Sequence, residues 1–205
     1  MARPKPLNRR ADILDAARDT FNARGFAGAR MDDIARAVGI SKAALYLEFP
    51  SKDALFQALV SELIETMLPQ AAPADFGDLS AELILRNFIA FMGARLTDPQ
   101  MAFVPRVIIG EGANFPELAA FYHQHVIGRG LGILERIIRH GIDRGEFTCA
   151  DLPQATRTIV GGILLAAIWK TTFEPVGAEP IDPAAMAQAH ADTLLCGLLV
   201  RKDAA

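Results

Sequence analysis

Residues 31–52, MDDIARAVGISKAALYLEFPSK, decide the fold of this chain, because two short helical patterns flank a glycine turn within them. The first pattern carries apolar residues at helical spacing, which predicts a short helix with one buried face. These residues are Ile34, Ala35 and Val38. Gly39 predicts the left-handed backbone that ends this helix, and Ser41 predicts the N-cap of the next. The second helix is expected from Lys42 to about Phe49. Two helices joined by so short a turn predict a helix-turn-helix, whose second helix enters a DNA major groove.

The distribution of charge supports a DNA-binding head. Residues 1–52 contain ten Lys and Arg against six Asp and Glu, which leaves a charge of +4. Residues 53–205 contain 11 against 18, which leaves −7. Residues 3–6 form a basic arm broken by prolines. A basic segment on an acidic body is expected of a DNA-binding module joined to a second domain. We therefore expect a DNA-binding domain over 1–52 and a regulatory domain over 53–205.

Composition excludes several other classes of protein. An apolar fraction of 51% excludes a disordered chain. Cys149 and Cys196 stand far apart without a metal-binding pattern, which argues against zinc and indicates a reducing cytoplasm. No metal and no cofactor are expected. The longest apolar run, Ile159–Trp169, has 11 residues, whereas a membrane helix needs about 20. This run is therefore expected to be a core helix, with no membrane partner.

Helix start and stop signals divide the rest of the chain into further helices, with no strand pattern between them. A first helix is expected from about Asn8 until Gly25, and Pro69 is expected to stop the fourth helix. Four polar residues predict later N-caps, namely Ser51, Ser80, Asp151 and Asp182. A long pattern over about residues 117–144 predicts one unbroken helix, and the last helix is expected to end on the cations of residues 201–202. The prediction is an all-α chain of about nine helices.

The stretch IARAVGISKAALYLEFPSKDAL, residues 34–55, resembles the DNA-binding signature of the tetracycline-repressor (TetR) family of transcriptional regulators. That signature usually reads close to IAxxAGVSxGTLYxHFxSKxxL, and the resemblance is close only over residues 12–59. It implies a three-helix DNA-binding domain, a long fourth helix, and a helical domain that binds a ligand and dimerises.

The resemblance assigns DNA contacts to the second helix of the motif and to its flanks. Lys42 matches the start of the recognition helix, where its ammonium can meet a phosphate or a guanine edge. Tyr46 and Lys52 match residues whose hydroxyl and ammonium contact backbone phosphates. Ala43 and Ala44 stand where the family often has Gly and Thr, and their methyl groups suit thymine methyls.

Three positions depart further from the family pattern. Arg30 stands where a Ser or Thr often caps the preceding helix, so a cap is lost and a phosphate-binding cation is gained. Asp32 and Asp33 partly compensate through the helix dipole. Leu47 and Glu48 replace residues that are often polar or basic, and Glu48 repels phosphate unless it turns away or accepts a hydrogen bond from a cytosine amine. Direct readout of bases is therefore expected to be sparse.

The resemblance also implies a homodimer, because the last two helices of the family pair with their copies in a partner subunit. Small residues that let helices approach closely, and an apolar strip in the final helix, suit such an interface. The residues expected there are Gly161, Gly162, Ala166, Leu194, Leu195 and Leu198. A dimer places two recognition helices about 34 Å apart, so the expected partner is double-stranded DNA with a palindromic operator.

Aromatic and methionine residues at helical spacing are candidates to line a cavity for a small apolar or amphipathic effector. They are Phe56, Met67, Phe88, Phe91, Met92, Phe103, Tyr122 and Trp169. Such residues also build ordinary cores, so both interpretations stay open for each of them. The cavity itself rests on analogy with the family.

The sequence therefore predicts a cytoplasmic, ligand-responsive regulator of transcription, a repressor by the family default, and not an enzyme. GRGLG at residues 128–132 lacks the GxGxxG spacing of a dinucleotide site. His123 and His125 point to different sides of a helix and do not form a metal pair. The alternative is an all-helical small-molecule or partner-binding protein with a weak or vestigial DNA-binding head.

Overall fold

The computed structural model describes residues 9–200, and the elements expected at residues 3–6 and 201–202 lie outside them. Ten α-helices are present in the described part: α1 (Arg9–Gly28), α2 (Met31–Val38), α3 (Lys42–Glu48), α4 (Lys52–Ala71), α5 (Ala81–Leu96), α6 (Pro99–Glu111), α7 (Pro116–Tyr122), α8 (Gly128–Asp143), α9 (Leu152–Ile168) and α10 (Pro183–Leu198). A π-helical turn, His123–Ile127, joins α7 to α8 without a break, which leaves nine helical rods in residues 9–200, the first of them kinked at Gly25. The predicted all-α architecture of about nine helices is confirmed.

Local side-chain chemistry sets the helix boundaries of the helix-turn-helix. Gly39 ends α2 in the left-handed region, at φ 75° and ψ 30°. Ser41 caps α3, because its hydroxyl accepts a hydrogen bond from the Ala44 N–H at 3.1 Å. Ser51 caps α4 through the Ala54 N–H at 3.0 Å. These three boundaries agree with the predictions made from the sequence.

Two other helix boundaries differ from those predictions. α4 continues two residues past Pro69, to Ala71, so the proline lies in the last turn of the helix and does not stop it at once. Ser80 precedes α5, but its side chain does not cap the helix. The Glu146 carboxylate takes that role and accepts a hydrogen bond from the Ala81 N–H at 2.7 Å.

Packing divides the chain into two compact units. The first contains the described residues up to Ile64 together with Phe103–Tyr122, and it includes the helix-turn-helix. The second contains Glu65–Ala102 together with the described residues from His123 onward. The boundary predicted at residue 52 does not coincide with a boundary between these packing units, and the division into a DNA-binding and a regulatory domain stays a prediction.

The first unit packs around a cluster of phenylalanine rings. Phe26 stacks on Phe21 with 5.8 Å between centroids, and it meets Phe56 and Phe115 edge-on at 5.5 and 4.8 Å. Phe21, Phe26 and Phe56 are at most 1% exposed. Each such ring pair contributes about 0.5 to 1.5 kcal/mol beyond its buried area. The cluster therefore fixes the end of α1, which leads into the helix-turn-helix.

The second unit has an aliphatic core supplied by α5, α8, α9 and α10. Its most buried members include Leu85, Leu134, Ile137, Ile159 and Leu195. α9 and α10 come close together at Gly162, where an added Cβ would overlap the His190 ring. The His190 Nε2–H donates to the Ile159 carbonyl at 2.9 Å, which holds the ring in that place. Glycine is therefore required at this crossing inside the unit.

Candidate nucleic-acid interface

α3 presents one buried face and one exposed face. Leu45 and Phe49 are 0% and 2% exposed and anchor the helix to the first unit. On the opposite face, Tyr46 is 41% exposed and Leu47 is 88% exposed. A leucine so exposed on a short helix offers an apolar contact to a partner, and the methyl group of thymine is such a contact in a major groove.

Lys42, at the start of α3, is held by an acidic residue of α2. Its Nζ lies 2.9 Å from Asp32 Oδ1 and 3.2 Å from Oδ2. The hydrogen bond to Asp32 raises the pKa of Lys42. The ammonium also lies 5.9 Å from the centroid of the Tyr46 ring. Lys42 is therefore exposed and charged, as a phosphate ligand requires, but it is already paired.

Other cations beside α2 are paired in the same way. Asp33 binds Arg24 through one carboxylate oxygen and Arg36 through the other, the second pair at 3.0 Å. Arg30 is exposed and occupies the N-cap of α2 without a side-chain cap bond, as the sequence predicted. Asp32 and Asp33 therefore neutralise three cations near α3 in addition to lying at the positive end of the α2 dipole.

Lys52 binds protein backbone. Its Nζ donates to the carbonyl oxygens of Phe26, Ala29 and Ala27 at 2.6, 3.1 and 3.4 Å, and it lies 4.4 Å from the centroid of the Phe26 ring. Burial lowers the pKa of this ammonium. A lysine ammonium has three N–H donors, so these carbonyls can occupy all of them. The phosphate contact expected of Lys52 stays a prediction, and this geometry argues against it.

Glu111, the last residue of α6, holds the opposite side of the same backbone segment. Its Oε1 accepts from the Phe26 N–H at 2.8 Å, and its Oε2 accepts from the Ala27 N–H at 2.6 Å. Gly25 makes this possible, because its φ of 68° breaks α1 and an added Cβ would overlap the Glu111 carboxylate. The sequence predicted that Gly25 ends the first helix, but no local pattern indicated that Glu111 binds Phe26, 85 positions earlier in the chain.

The eight candidate effector-binding residues are divided between the two units. Phe56, Phe103 and Tyr122 are buried in the first unit, and burial raises the pKa of Tyr122 to about 12. In the second unit lie Met67, Phe88, Phe91, Met92 and Trp169. Phe56 belongs to the ring cluster and Phe88 to the aliphatic core, so core packing accounts for both. Trp169 donates its indole N–H to the Glu179 carbonyl at 2.9 Å. The cavity stays a prediction.

A groove of 590 Å³ lies between α5 and α10 in the second unit. Its walls include the small side chains of Ala90, Ala94, Ala187 and Ala191. Arg86 also lines the groove, and this side chain pairs with Asp192 and Glu82. None of the eight candidate effector residues lines this groove.

The residues predicted for a dimer interface differ in exposure. Ala166, Leu195 and Leu198 are buried within their own chain. Leu194 is half-buried and packs against the same core, and Gly162 faces His190, whereas Gly161 is exposed. Leu165, one turn beyond Gly161, is 51% exposed and extends the outer face of α9. The interface stays a prediction.

The helical rod that begins with α9 is strongly apolar, although much of it is exposed to solvent in the isolated chain. Leu152–Val176 has a mean hydropathy of 1.3 in its most apolar window, which length and composition alone would allow in a membrane. Only 22% of that window is buried in the isolated chain. Core helices are mostly buried, so this helix has apolar surface available to a partner.

Comparison with known proteins gives matches over most of the chain. Residues 13–59 match the family described as bacterial regulatory proteins, tetR family, and residues 84–196 match the AefR-like transcriptional repressor, C-terminal domain. The HTH-type transcriptional regulator RutR of Escherichia coli (strain K12) is 42% identical over 71 residues, which cover 34% of each protein. The match therefore spans about a third of that relative's length.

Solved structures share the fold over nearly the whole chain. The TetR family transcriptional regulator PfmR from Thermus thermophilus is 26% identical, with a TM-score of 0.68, over 92% of this chain and 99% of PfmR. The transcriptional regulator FadR from Bacillus subtilis, solved in complex with stearoyl-CoA, is 21% identical with a TM-score of 0.72. That match covers 91% of this chain and 98% of FadR.

Proposed function

Because this chain belongs to the TetR family of bacterial regulatory proteins, we propose that it is a ligand-responsive repressor that binds a palindromic operator as a homodimer. Members of the family are transcriptional regulators and not enzymes. The C-terminal match alone covers more than half of the chain. A regulator of this kind acts where the chromosome is, so we place it in the cytoplasm.

The outer face of α3 is the observation that carries this proposal. The turn before α3 has the left-handed glycine and the serine cap that a helix-turn-helix requires, and the inner face of α3 is anchored by buried residues. Tyr46, Leu47 and Lys42 are left exposed on this short helix. Recognition helices insert in this way, with their first turns toward base edges.

We assign the candidate DNA-binding residues to two kinds of contact. Lys42, Tyr46 and Arg30 bind phosphates, which position the head on the duplex without reading its sequence. Ala43, Ala44 and Leu47 present methyl groups to the major groove, where thymine alone among the bases offers a methyl partner. The operator half-site should therefore contain thymines at the positions that α3 covers. Leu47 extends the predicted set of DNA contacts because of its exposure.

The homodimer is supported by the exposed apolar surface of α9. A partner copy that covers Gly161 and Leu165 would remove apolar surface from water, at about 25 cal/mol per Å². Symmetric pairing also supplies the second recognition helix that a palindromic operator requires.

For the effector we propose a small apolar or amphipathic molecule that releases the protein from DNA. The candidate lining residues are aromatic and methionine side chains, which suit an apolar ligand. FadR of Bacillus subtilis, which has this fold, was solved with stearoyl-CoA, an amphipathic molecule. Binding screens with acyl, aromatic and highly charged compounds test the class, and a response confined to charged compounds would contradict it.

The DNA-binding proposal is tested by selecting duplexes from a random library with the purified full chain. We expect enrichment of a palindrome whose half-site centres lie about one helical turn apart. Tyr46→Phe is expected to weaken binding to the selected duplex several-fold, because it removes the hydroxyl that contacts phosphate and leaves the ring in place. Tyr122→Phe is the matched control, since it makes the same change at the other, buried tyrosine. If wild-type protein enriches no duplex, the alternative of a ligand-binding or partner-binding protein with a vestigial head is favoured.

A further inference from the structure

Residues 26–29, which comprise the end of α1 beyond its break at Gly25 and the residue that follows, are held from both sides by charged side chains. Glu111 accepts two hydrogen bonds from backbone N–H groups of this segment, and Lys52 donates three to its carbonyl oxygens. The segment begins after the break at Gly25 and ends at Arg30, the N-cap of α2. Its position therefore determines where α2, and with it α3, begins.

α6 supplies a second polar contact on the other side of the Gly25 break. Arg106 donates to the Asn22 carbonyl and, at 3.1 Å, to the Asn22 Oδ1. The Asn22 carbonyl and the two N–H groups bound by Glu111 are backbone groups that the break at Gly25 would otherwise leave without helical partners. Hydrogen bonds to charged groups are stronger than those between neutral groups, so this end of α6 fixes the chain on each side of the break.

We propose that Glu111 and Lys52 are positioning residues for DNA recognition, which act by fixing residues 26–29 and so the placement of α3 against DNA. This inference rests on the proposed function, and it assigns Lys52 a role different from the phosphate contact that family resemblance implies. Neither side chain needs to touch DNA, because each acts through backbone that leads into the helix-turn-helix.

Glu111→Gln distinguishes a positioning role from a simple charge effect, because the two predict opposite changes in affinity for DNA. Removing a negative charge from a DNA-binding unit raises its affinity for DNA if charge alone matters. The amide of glutamine, however, replaces one carboxylate oxygen by a group that cannot accept a hydrogen bond. We therefore expect Glu111→Gln to weaken operator binding by about threefold or more, as the loss of one charge-assisted bond allows. Glu111→Asp retains both acceptors on a shorter stem and should lie between wild type and Glu111→Gln.

Lys52→Gln separates positioning from phosphate binding through the salt dependence of affinity. A lost phosphate contact makes the slope of log K against log salt shallower by about 0.9. A positioning residue instead lowers the affinity and leaves the slope close to that of wild type. Because both side chains act on one segment, the double variant Glu111→Gln/Lys52→Gln should lose less affinity than the two single effects combined.

The experiment measures affinity for the duplex selected as described above, over a series of salt concentrations, with the full-length chain. Asp15→Asn is the control matched in charge, because Asp15 is exposed and, among the described residues, forms its ion pair with Arg18 of the same helix. We expect it to bind at least as tightly as wild type. Hydrogen exchange of the Phe26 and Ala27 amides should accelerate in Glu111→Gln, while circular dichroism verifies that the helices remain.

The outcomes distinguish this inference from the proposed function. If wild type selects no duplex, the proposed function fails and the inference fails with it. If wild type binds but Glu111→Gln binds equally or more tightly with its helices intact, the positioning role of Glu111 is overturned. If Lys52→Gln makes the salt slope shallower by about 0.9, Lys52 is a phosphate ligand and its positioning role is overturned.

Discussion

Asp32→Asn should increase the affinity of this protein for DNA of any sequence. The substitution keeps the size of the side chain and removes the carboxylate that binds Lys42 at 2.9 and 3.2 Å. The Asp32 carboxylate raises the pKa of Lys42, and without it the ordinary lysine pKa of about 10.4 still keeps the ammonium charged at neutral pH. The released ammonium then becomes available to a phosphate.

The size of the effect follows from counterion release. One additional phosphate contact steepens the slope of log K against log salt by about 0.9. Between about 50 and 200 mM salt, that change in slope corresponds to a further loss of affinity of about 3.5-fold. The variant should therefore bind more tightly than wild type at low salt, and its advantage should shrink as salt is added.

The assay is fluorescence anisotropy of a labelled random-sequence duplex, titrated with each variant over that salt range. Asp15→Asn makes the same change of charge at a residue whose partner, Arg18, lies on the same helix, and should leave the slope unchanged. The decisive comparison is Asp32→Asn in a Lys42→Gln background, where the change in slope should disappear. An unchanged slope in Asp32→Asn, or the same change without Lys42, would refute the reasoning.

Three further predictions concern stability and assembly. Glu146→Gln should lower the free energy of unfolding by at most about 1 kcal/mol at neutral pH, because hydrogen bonds from Arg144 and from the N-terminus of α5 lower the pKa of this carboxylate. A carboxylate with a lowered pKa loses its stabilising effect as pH falls, so the difference between wild type and variant in urea unfolding should shrink steadily below the ordinary glutamate pKa, and a constant difference would contradict this. Gly162→Ala should cost about 1 to 3 kcal/mol in thermal unfolding through overlap with a histidine ring, whereas the control Gly132→Ala, in α8, meets no atom within 4 Å and should not destabilise. Leu165→Lys should shift the dimer toward monomer in sedimentation experiments without unfolding the chain, since this leucine is 51% exposed, and an unchanged dimer would exclude the outer face of α9 from the interface.

The helix-turn-helix was predictable from the sequence because its determinants are local. The left-handed Gly39 and the Ser41 cap act on backbone groups within a few residues of themselves, so their spacing alone identifies them. The missing cap at Arg30 was predictable for the same reason.

Contacts between residues distant in sequence were not predictable in this way. The Asp32–Lys42 pair joins two helices, and the bond from Phe26 to Glu111 spans 85 positions. Charged residues at helix ends have several plausible partners, and only tertiary packing selects among them. Glu146 illustrates this at α5, where it takes the capping role that the sequence assigned to an adjacent serine.

For the regulatory domain expected over residues 53–205, the sequence predicted the helices but did not identify which residues line an effector site. Apolar spacing indicates which residues are buried. A phenylalanine in a solid core and one in a cavity wall, however, give the same sequence pattern. Phe56 and Phe88 are examples, because the structure accounts for both through neighbouring side chains. The same ambiguity applies to the small residues of α9, because the sequence does not show which of them pack inside the chain. Gly162 packs against His190, whereas its neighbour Gly161 is exposed.

The close approach of Gly25 to Glu111 links the evolution of two positions that lie far apart in the gene. A larger residue at position 25 would have to adopt a positive φ and would overlap the carboxylate, so it is tolerated only if position 111 becomes shorter or moves. A side chain longer than glutamate at position 111 would in turn collide with the backbone at Gly25, because the Glu111 carboxylate already fills the space beside it. The two positions should therefore covary among related sequences, and a homologue without glycine at 25 should lack glutamate at 111.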